Sequence, residues 1–137
     1  MKLNRRKLLK GAGALGLGAL VQPLVASAAT APKKLIARTG RITMQAGQTK
    51  LEMPVWGYGG ASPGEVLTVD QGGVLDLNLK NELPEETSIH WHGIRTPNNM
   101  DGVPFVTQKA VQPGGDFQYR FTCEDAGTYW YHPHANS

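Results

Sequence analysis

Residues 75–80, with the sequence LDLNLK, decide the fold class, because apolar and polar residues alternate in them without a break. Residues 117–122, FQYRFT, repeat the pattern with aromatic residues at the apolar positions. Successive side chains of a β-strand point to opposite faces, so each stretch has one apolar and one polar face, as a half-buried strand requires. Weaker strand candidates with the same period lie at residues 34–44, 51–56, 65–69, 87–92 and 127–132.

Glycine and proline separate these strand candidates. Turn-forming clusters lie at residues 57–64, 70–73 and 112–115. No segment has both the length and the capping residues of a convincing helix. Short strands divided by turns at this spacing predict an antiparallel β-sandwich or barrel.

The composition limits the chain to one domain with a short extension. It has 137 residues, 17 glycines, nine prolines and a single cysteine, Cys123. One cysteine excludes an internal disulfide and every zinc or iron–sulfur site that needs several thiolates. Residues 1–28 contain five of the 14 Lys and Arg residues and no acid, which leaves nine basic and eleven acidic residues, a net charge of −2. No basic surface for nucleic-acid binding is therefore expected.

Residues 1–28 follow the order of an export signal. Basic residues come first, the apolar stretch GAGALGLGALV follows, and a small Ala-Ser-Ala sequence closes the segment. The adjacent Arg5 and Arg6 resemble a twin-arginine signal. We therefore expect cleavage near Ala28, a mature domain at residues 29–137, and export to the periplasm or the cell exterior. The alternative is an uncleaved amphipathic anchor.

All four histidines of the chain fall into two His-x-His pairs, His90 with His92 and His132 with His134. Residues i and i+2 of an extended strand point to the same side, with Cβ atoms roughly 6–7 Å apart, so each pair can bind one metal ion or two neighbouring ions. An all-imidazole cluster suits copper, and less exclusively zinc or nickel. Histidines in ordinary strand positions are the alternative, but the use of every histidine in a pair favours metal binding.

Other metal folds do not fit the spacing. A cupin has a Glu shortly after its His-x-His pair, whereas residues 93–98 contain none. The His-Glu-x-x-His sequence of zinc hydrolases is absent from the chain. A blue-copper site combines Cys with two His and usually Met, and no His or Met follows Cys123 at a suitable spacing. Cys123 is therefore interpreted as a small strand residue.

Four motifs in a fixed order resemble the first domain of multicopper oxidases, the family of laccases, ascorbate oxidase, bilirubin oxidases and bacterial cuprous oxidases. They are SIHWHG at 88–93, MDGVP at 100–104, QPGG at 112–115 and GTYWYHPH at 127–134. The resemblance implies an all-β, plastocyanin-like (cupredoxin) Greek-key β-sandwich at residues 29–137, incomplete at its C-terminal end.

Family members hold a trinuclear copper cluster with four His-x-His pairs and reduce dioxygen to water there. By position in the motifs, the resemblance implies that His90 binds the type 2 copper. It implies in the same way that His92, His132 and His134 bind the type 3 pair. Asp101 matches an acid near the type 2 site that supplies protons or steers water. The alternative for Asp101 is a turn residue before a glycine, a role that Asp fills well.

Two tryptophans flank the histidines. Trp91 lies between His90 and His92 and therefore points to the opposite side of the strand. We predict that Trp91 fills the sandwich core. Trp130 is a candidate to shield the cluster from solvent, with core filling as its alternative.

The 137 residues contain neither the family's other two His-x-His pairs nor its His-Cys-His segment, whose cysteine carries the type 1 copper that takes electrons from substrate. We therefore expect the copper-binding N-terminal part of a multicopper oxidase, which supplies half of the cluster ligands and is inactive alone. Its partners in the complete enzyme are dioxygen, a reducing substrate that the sequence does not identify, and C-terminal cupredoxin domains or a partner chain. The alternatives are a non-catalytic exported copper-binding or chaperone module, and a structural sandwich whose vestigial histidines bind no metal.

Overall fold

Six strands make up the regular structure of residues 31–135, the part of the chain that the computed structural model describes. They are β1 (Lys33–Ala46), β2 (Thr49–Tyr58), β3 (Val74–Asn81), β4 (His90–His92), β5 (Asp116–Thr122) and β6 (Trp130–His132). A single 3-10 turn at Asn98–Met100 is the one helical element among these residues. None of the described residues belongs to a helix long and apolar enough to cross a membrane. The predicted export signal at residues 1–28 lies outside the described residues.

Four strands form one sheet in the order β2-β1-β3-β5. Strand β1 pairs antiparallel with β2, and β3 pairs antiparallel with β5. Strands β1 and β3 run parallel, from Lys33 opposite Leu77 to Ala37 opposite Asn81. The expectation of antiparallel pairing is wrong for this one contact, because the connection after β2 crosses to the far side of β1 before β3 begins.

The core lies on the inward face of this sheet. Leu75, Leu77 and Leu79 of β3 are at most 7% exposed, and they alternate with half-buried polar residues. On the neighbouring strand β5, Tyr119 and Phe121 are buried and the residue between them is exposed. The alternation in both sequences is thus confirmed as the pattern of half-buried strands.

Strands β4 and β6 form the second sheet, an antiparallel ribbon with three residues on each strand. Trp91, in the middle of β4, is 2% exposed, and its ring meets those of Tyr119 and Phe121 edge-on, with each pair of centroids 5.4 Å apart. These contacts join the ribbon to the four-stranded sheet and complete a β-sandwich. The prediction that Trp91 fills the core is confirmed.

The strands near the histidines are shorter than predicted, and one candidate forms no strand. The candidate at 87–92 pairs continuously only at β4, although a single bridge joins Thr87 to Val111. The candidate at 127–132 is likewise reduced to β6. Residues 65–69 have no ladder partner among residues 31–135. A strand exists only where a second backbone satisfies its hydrogen bonds, and alternation of side chains does not provide one.

Candidate metal centre

The β4–β6 ribbon places the predicted ligands on facing strands. Its register pairs His90 with His132, Trp91 with Tyr131, and His92 with Trp130. Side chains of an antiparallel pair alternate between the two faces of the ribbon. The central pair therefore points into the core, while the two outer pairs share the opposite face.

Three imidazoles converge on this outer face. The candidate ligand nitrogens of His90, His92 and His132 all lie within 4.8 Å of one another. His132 Nε2 is 3.4 Å from His92 Nδ1, and the three ring centroids are 5.3–5.7 Å apart. Two separate strands thus bring three imidazole ligands to one place, an arrangement that suits transition-metal binding.

His134 lies at the edge of this group, beyond the end of β6. Its ring centroid is 5.5 Å from that of His90 and 6.1 Å from that of His132. Its backbone N–H approaches Ser88 Oγ at 3.4 Å. It is not among the residues whose ligand nitrogens lie within 4.8 Å of one another. The structure therefore gathers all four rings into one cluster, in which three of them are closest.

Two backbone carbonyls fix the orientation of two of these rings. His90 Nδ1 lies 2.7 Å from the carbonyl oxygen of Asp101, and His132 Nδ1 lies 2.8 Å from that of Pro133. A carbonyl oxygen only accepts hydrogen bonds, so each neutral ring carries its proton on Nδ1. Nε2 then carries the lone pair with which an imidazole binds a metal ion.

Asp101 follows the turn at Asn98–Met100 and approaches His90 through two oxygen atoms. Besides the carbonyl contact, its Oδ1 lies 3.4 Å from His90 Nδ1. Thr96 Oγ1 lies 3.5 Å from the same carboxylate oxygen, and the Asp101 backbone N–H donates to the carbonyl of Asn98. Asp101 therefore closes a turn and also stands beside a predicted ligand, so the two interpretations of this residue are compatible.

Sequence reasoning missed Gly102 as a positioning residue. Its φ is +80°, and a Cβ at this position would lie 1.7 Å from the carbonyl oxygen of Ile89. A residue with a side chain cannot fit there unless the backbone that enters β4 moves. The Asp-Gly sequence at residues 101–102 gave a signal, but that signal indicates a turn and not this close approach.

Two buried tyrosines hold the residues that lead into β4. Tyr58 Oη donates to the carbonyl of Ser88 over 2.6 Å, and the Ile89 N–H donates to Tyr119 Oη over 2.9 Å. Burial raises the pKa of Tyr58 and that of Tyr119 above the usual range, so both hydroxyls stay neutral. The sequence gave no signal for this role, because periodicity indicates the face of a side chain but not its hydrogen-bond partner.

Trp130 and Cys123 relate to the cluster in different ways. Trp130 is 57% exposed and stacks on His132, with ring centroids 4.2 Å apart and planes at 26°. It therefore covers one side of the rings. Cys123 is half-buried directly after β5, where its N–H donates to the carbonyl of Gly73. It contributes no atom to the convergent group of ligand nitrogens.

A β-sandwich that carries one His-x-His pair on a cross-strand ribbon, and a second pair that begins on the ribbon and ends just beyond it, defines a cupredoxin-type domain with a candidate centre for a nitrogen-binding metal such as copper. A family model described as "Multicopper oxidase" matches residues 39–137. The chain belongs to the multicopper oxidase family, and this membership implies copper as its metal.

Known relatives agree with this assignment. Copper resistance protein A of Escherichia coli is 35% identical over 98% of this chain and 24% of its own length. Multicopper oxidase MmcO of Mycobacterium tuberculosis is 38% identical over 89% of this chain and 24% of its own length. The crystal structure of a multi-copper oxidase from Pseudomonas thermotolerans matches with a TM-score of 0.68 and 49% identity, over 81% of this chain and 26% of that one. The chain thus spans about a quarter of the length of the curated relatives it matches.

Proposed function

We propose that this chain supplies half of the histidine ligands of a trinuclear copper cluster at which a multicopper oxidase reduces dioxygen to water. The observation that carries the proposal is the convergence of three imidazoles within 4.8 Å across two strands. Family membership supports copper as the metal. In this assignment His90 binds the type 2 copper, and His92, His132 and His134 bind the type 3 pair.

The residues of the cluster fit copper. The four side chains offer only imidazole nitrogens, which are good copper ligands. The Nδ1 atoms of His90 and His132 lie 2.7 and 2.8 Å from backbone carbonyl oxygens. Such a second hydrogen bond usually orients a metal-binding ring. When bound, several copper ions together supply the electrons that the reduction of dioxygen to water consumes.

The chain's own residues orient these ligands and manage protons. The Asp101 carbonyl fixes the ring of His90, and Trp130 covers the rings of His92 and His132 on one side. We assign Asp101 Oδ1 as the atom that holds a proton or a water molecule for the reduction. It lies 3.4 Å from His90 Nδ1, and the Asp101 side chain keeps 31% of its surface exposed to solvent.

The complete activity in this proposal requires polypeptide beyond these 137 residues. C-terminal cupredoxin domains or a partner chain supply the remaining cluster ligands and the type 1 copper, where an unidentified reducing substrate delivers electrons. Dioxygen is the oxidant, and this chain alone is inactive. We further propose that residues 1–28 act as a twin-arginine-type signal and that the domain at residues 29–137 works in the periplasm or outside the cell.

Copper stoichiometry tests the ligand assignment. The purified chain is loaded with Cu(II), dialysed, and analysed by atomic absorption and electron paramagnetic resonance. The double variant His90→Ala, His132→Ala should lose most of its bound copper, because it removes one ligand from each pair. Glu82→Ala, which removes an exposed acid outside the cluster, should keep it. Unchanged copper content in the double variant, with circular dichroism showing an intact fold, would contradict the assignment.

Oxygen consumption separates an oxidase component from a non-catalytic copper module. The copper-loaded chain alone should consume no oxygen with a phenolic or a cuprous donor. Consumption should begin when a polypeptide with the other two His-x-His pairs and the His-Cys-His segment is added. Bound copper without oxygen uptake in that mixture would favour the exported copper-binding or chaperone module. A folded chain that binds no copper would favour a structural sandwich.

A further inference from the structure

Strands β1 and β2 continue beyond the four-stranded sheet as a two-stranded ribbon. The parallel contact of β1 with β3 ends at Ala37, whereas the antiparallel contact of β1 with β2 continues to the pair of Ala46 with Thr49. Every residue in the range 43–54 is exposed to solvent. We call residues 38–57 the hairpin arm. The arm therefore projects from the body of the domain, and both of its faces are open along its outer half.

One face of the hairpin arm is apolar. Leu35 and Ala37 are buried on the core side of β1, and the alternation of the two strands turns a second set of side chains to the opposite side. Five apolar residues share that opposite side, namely Ile42, Met44, Leu51, Met53 and Val55. Met44, Leu51 and Met53 are 44–50% exposed. Apolar side chains that are exposed as one contiguous patch indicate an interaction surface.

The charge of the chain is divided between β1 and β2 on one side and the later residues on the other. Residues 33–58 contain five basic residues and one acid, a net charge of +4, whereas residues 59–137 contain four basic and ten acidic residues, a net charge of −6. The one acid, Glu52, forms an ion pair of 3.2 Å with Arg41 on the other face of the arm.

Two cations lie on the same side of the hairpin as the apolar patch. Lys34 and Arg38 precede Ile42 in β1 by an even number of residues, so their side chains leave the strand on the side of the patch. Both residues are exposed. Since no acid occupies this side of β1 or β2, the apolar face combines hydrophobic side chains with positive charge.

We propose that the apolar face of the hairpin arm docks on the surface of a lipid bilayer that contains anionic phospholipids. Its apolar side chains enter the boundary between headgroups and acyl chains, and Lys34 and Arg38 contact the lipid phosphates. Charge complementarity favours this occupant, because the acidic residues 59–137 are repelled from the surface that attracts the arm. A projecting arm also reaches a flat surface without needing a groove to receive it. This docking goes beyond the proposed function and does not depend on copper.

Methyl NMR of the full chain with bicelles tests this proposal. The four methionines are labelled with carbon-13 at their methyl groups, and the bicelles contain phosphatidylcholine, phosphatidylglycerol and a lipid with a doxyl spin label. The signals of Met44 and Met53 should fall at least about threefold, because the spin label attenuates methyl groups at the membrane. Met100, which packs against the core, should keep its signal. Met1 reports separately on any contact that the N-terminal segment makes.

A matched pair of variants tests the apolar contribution. Leu51→Ser lies in the patch and should restore most of the signal of Met44 and Met53. Val74→Ser should leave the attenuation as it is, because Val74 is also 48% exposed but lies outside the arm.

A second pair tests the charge, and it keeps the proposal falsifiable if Leu51→Ser does not fold. Lys34→Glu should weaken the attenuation of Met44 and Met53, whereas Lys109→Glu, the same change at an exposed residue outside the arm, should not. Sodium chloride at about 1 M should weaken it as well, because the Debye length then falls to about 3 Å.

Three results would overturn the proposal. The first is equal attenuation of Met44 and Met53 in bicelles of phosphatidylcholine alone. The second is no attenuation at these two residues, whether or not Met1 is attenuated, since the arm then does not touch the bilayer. The third is a change of their methyl shifts with protein concentration in lipid-free buffer, together with a dimer in analytical ultracentrifugation. That outcome would show that a second copy of the chain covers this face.

Discussion

The pairing of β3 with β5 and the pairing of β4 with β6 are built differently. The first has seven residue pairs within a four-stranded sheet, whereas the second has only three pairs in a sheet of its own. A two-stranded ribbon of that length has almost no stability in isolation. The ribbon that carries the histidines therefore depends on packing and hydrogen bonds supplied by the larger sheet and the loops around it.

This comparison shows that the two regions divide the work of the domain. The longer strands bury leucines and aromatic residues and determine whether the chain folds. The short ribbon exposes the face that bears the imidazoles. The contacts that hold it include the core packing of Trp91, the close approach at Gly102, and the hydrogen bonds of Tyr58 and Tyr119. Substitutions at these contacts test how strongly the ribbon depends on its support.

Trp91→Ala should have the largest effect. Removing a buried tryptophan costs about 3–5 kcal/mol of unfolding free energy, through lost burial and the cavity left behind. Trp130→Ala, on the opposite face of the same ribbon, should cost about 1 kcal/mol or less, because that ring is 57% exposed. Urea unfolding followed by circular dichroism measures both. Equal losses in the two variants would show that the ribbon's faces do not differ as described.

Gly102→Ala should have the second-largest effect, and Gly114→Ala is its matched control. Both glycines have positive φ, +80° and +76°, which costs an alanine about 1–2 kcal/mol at either site. At Gly102 the new Cβ would also meet the carbonyl of Ile89 at 1.7 Å, whereas at Gly114 it would meet nothing within 4 Å. We expect a further loss of about 1–3 kcal/mol at Gly102 only, together with weaker copper binding.

Gly114→Ala measures the cost of the positive φ alone, so any additional loss in Gly102→Ala measures the displacement of the backbone at Ile89. Unfolding free energies from urea titration and copper contents after dialysis are compared for the two glycine variants. If both lose the same free energy and both bind copper like the unaltered chain, then the approach between residue 102 and Ile89 does not position β4.

Tyr58→Phe should cost about 1–3 kcal/mol at neutral pH, because it leaves the buried carbonyl of Ser88 without its donor. The substitution should also change how the unfolding free energy depends on alkaline pH. Burial raises the pKa of Tyr58 in the folded chain, so above about pH 10 only the unfolded chain releases this proton readily, and the unfolding free energy falls as pH rises.

The pH dependence of the Tyr58 variant provides the measurement. Urea unfolding between neutral pH and the alkaline range should show a shallower decline for Tyr58→Phe than for the unaltered chain, since one titrating group is gone. The buried hydroxyl of Tyr119 continues to contribute in both. Identical slopes would mean that Tyr58 ionises as easily in the folded chain as in the unfolded one.

Asp101→Asn should have the smallest effect on copper binding. The ring of His90 is oriented by the main-chain carbonyl of residue 101, which the substitution leaves in place, so copper affinity should change by less than about tenfold. Competition with a copper chelator measures this. Loss of copper from Asp101→Asn would show that the carboxylate, rather than the carbonyl, holds His90. In a completed oxidase, slower oxygen reduction with copper retained would support the proposed proton role.

The larger sheet could be predicted from the sequence because alternation reports directly which face of a strand is buried. Residues 75–80 and 117–122 match β3 and β5 to within one residue at each end. The inward direction of Trp91 followed from the same period. The grouping of the histidines followed from the motifs, since two His-x-His pairs used every histidine of the chain.

Partners and close approaches could not be predicted in the same way. Alternation does not say which backbone lies alongside a strand, so it predicts neither the parallel contact of β1 with β3 nor that the unpaired segment is residues 65–69. It also does not fix register, which sets His90 directly opposite His132. The carbonyl contact of Asp101 and the lack of space at Gly102 depend on a loop path that no local pattern encodes.

The direct opposition of His90 and His132 constrains how this ribbon can change over evolutionary time. A substitution in the ribbon changes one side chain, and therefore only one face of the ribbon. An insertion or deletion inside residues 90–92 or 130–132 shifts every following side chain to the other face. In β4 such a change would turn an imidazole toward the core or the indole of Trp91 toward water, and so damage the metal site and the core contact together. Length changes should therefore be confined to the loops that flank the ribbon.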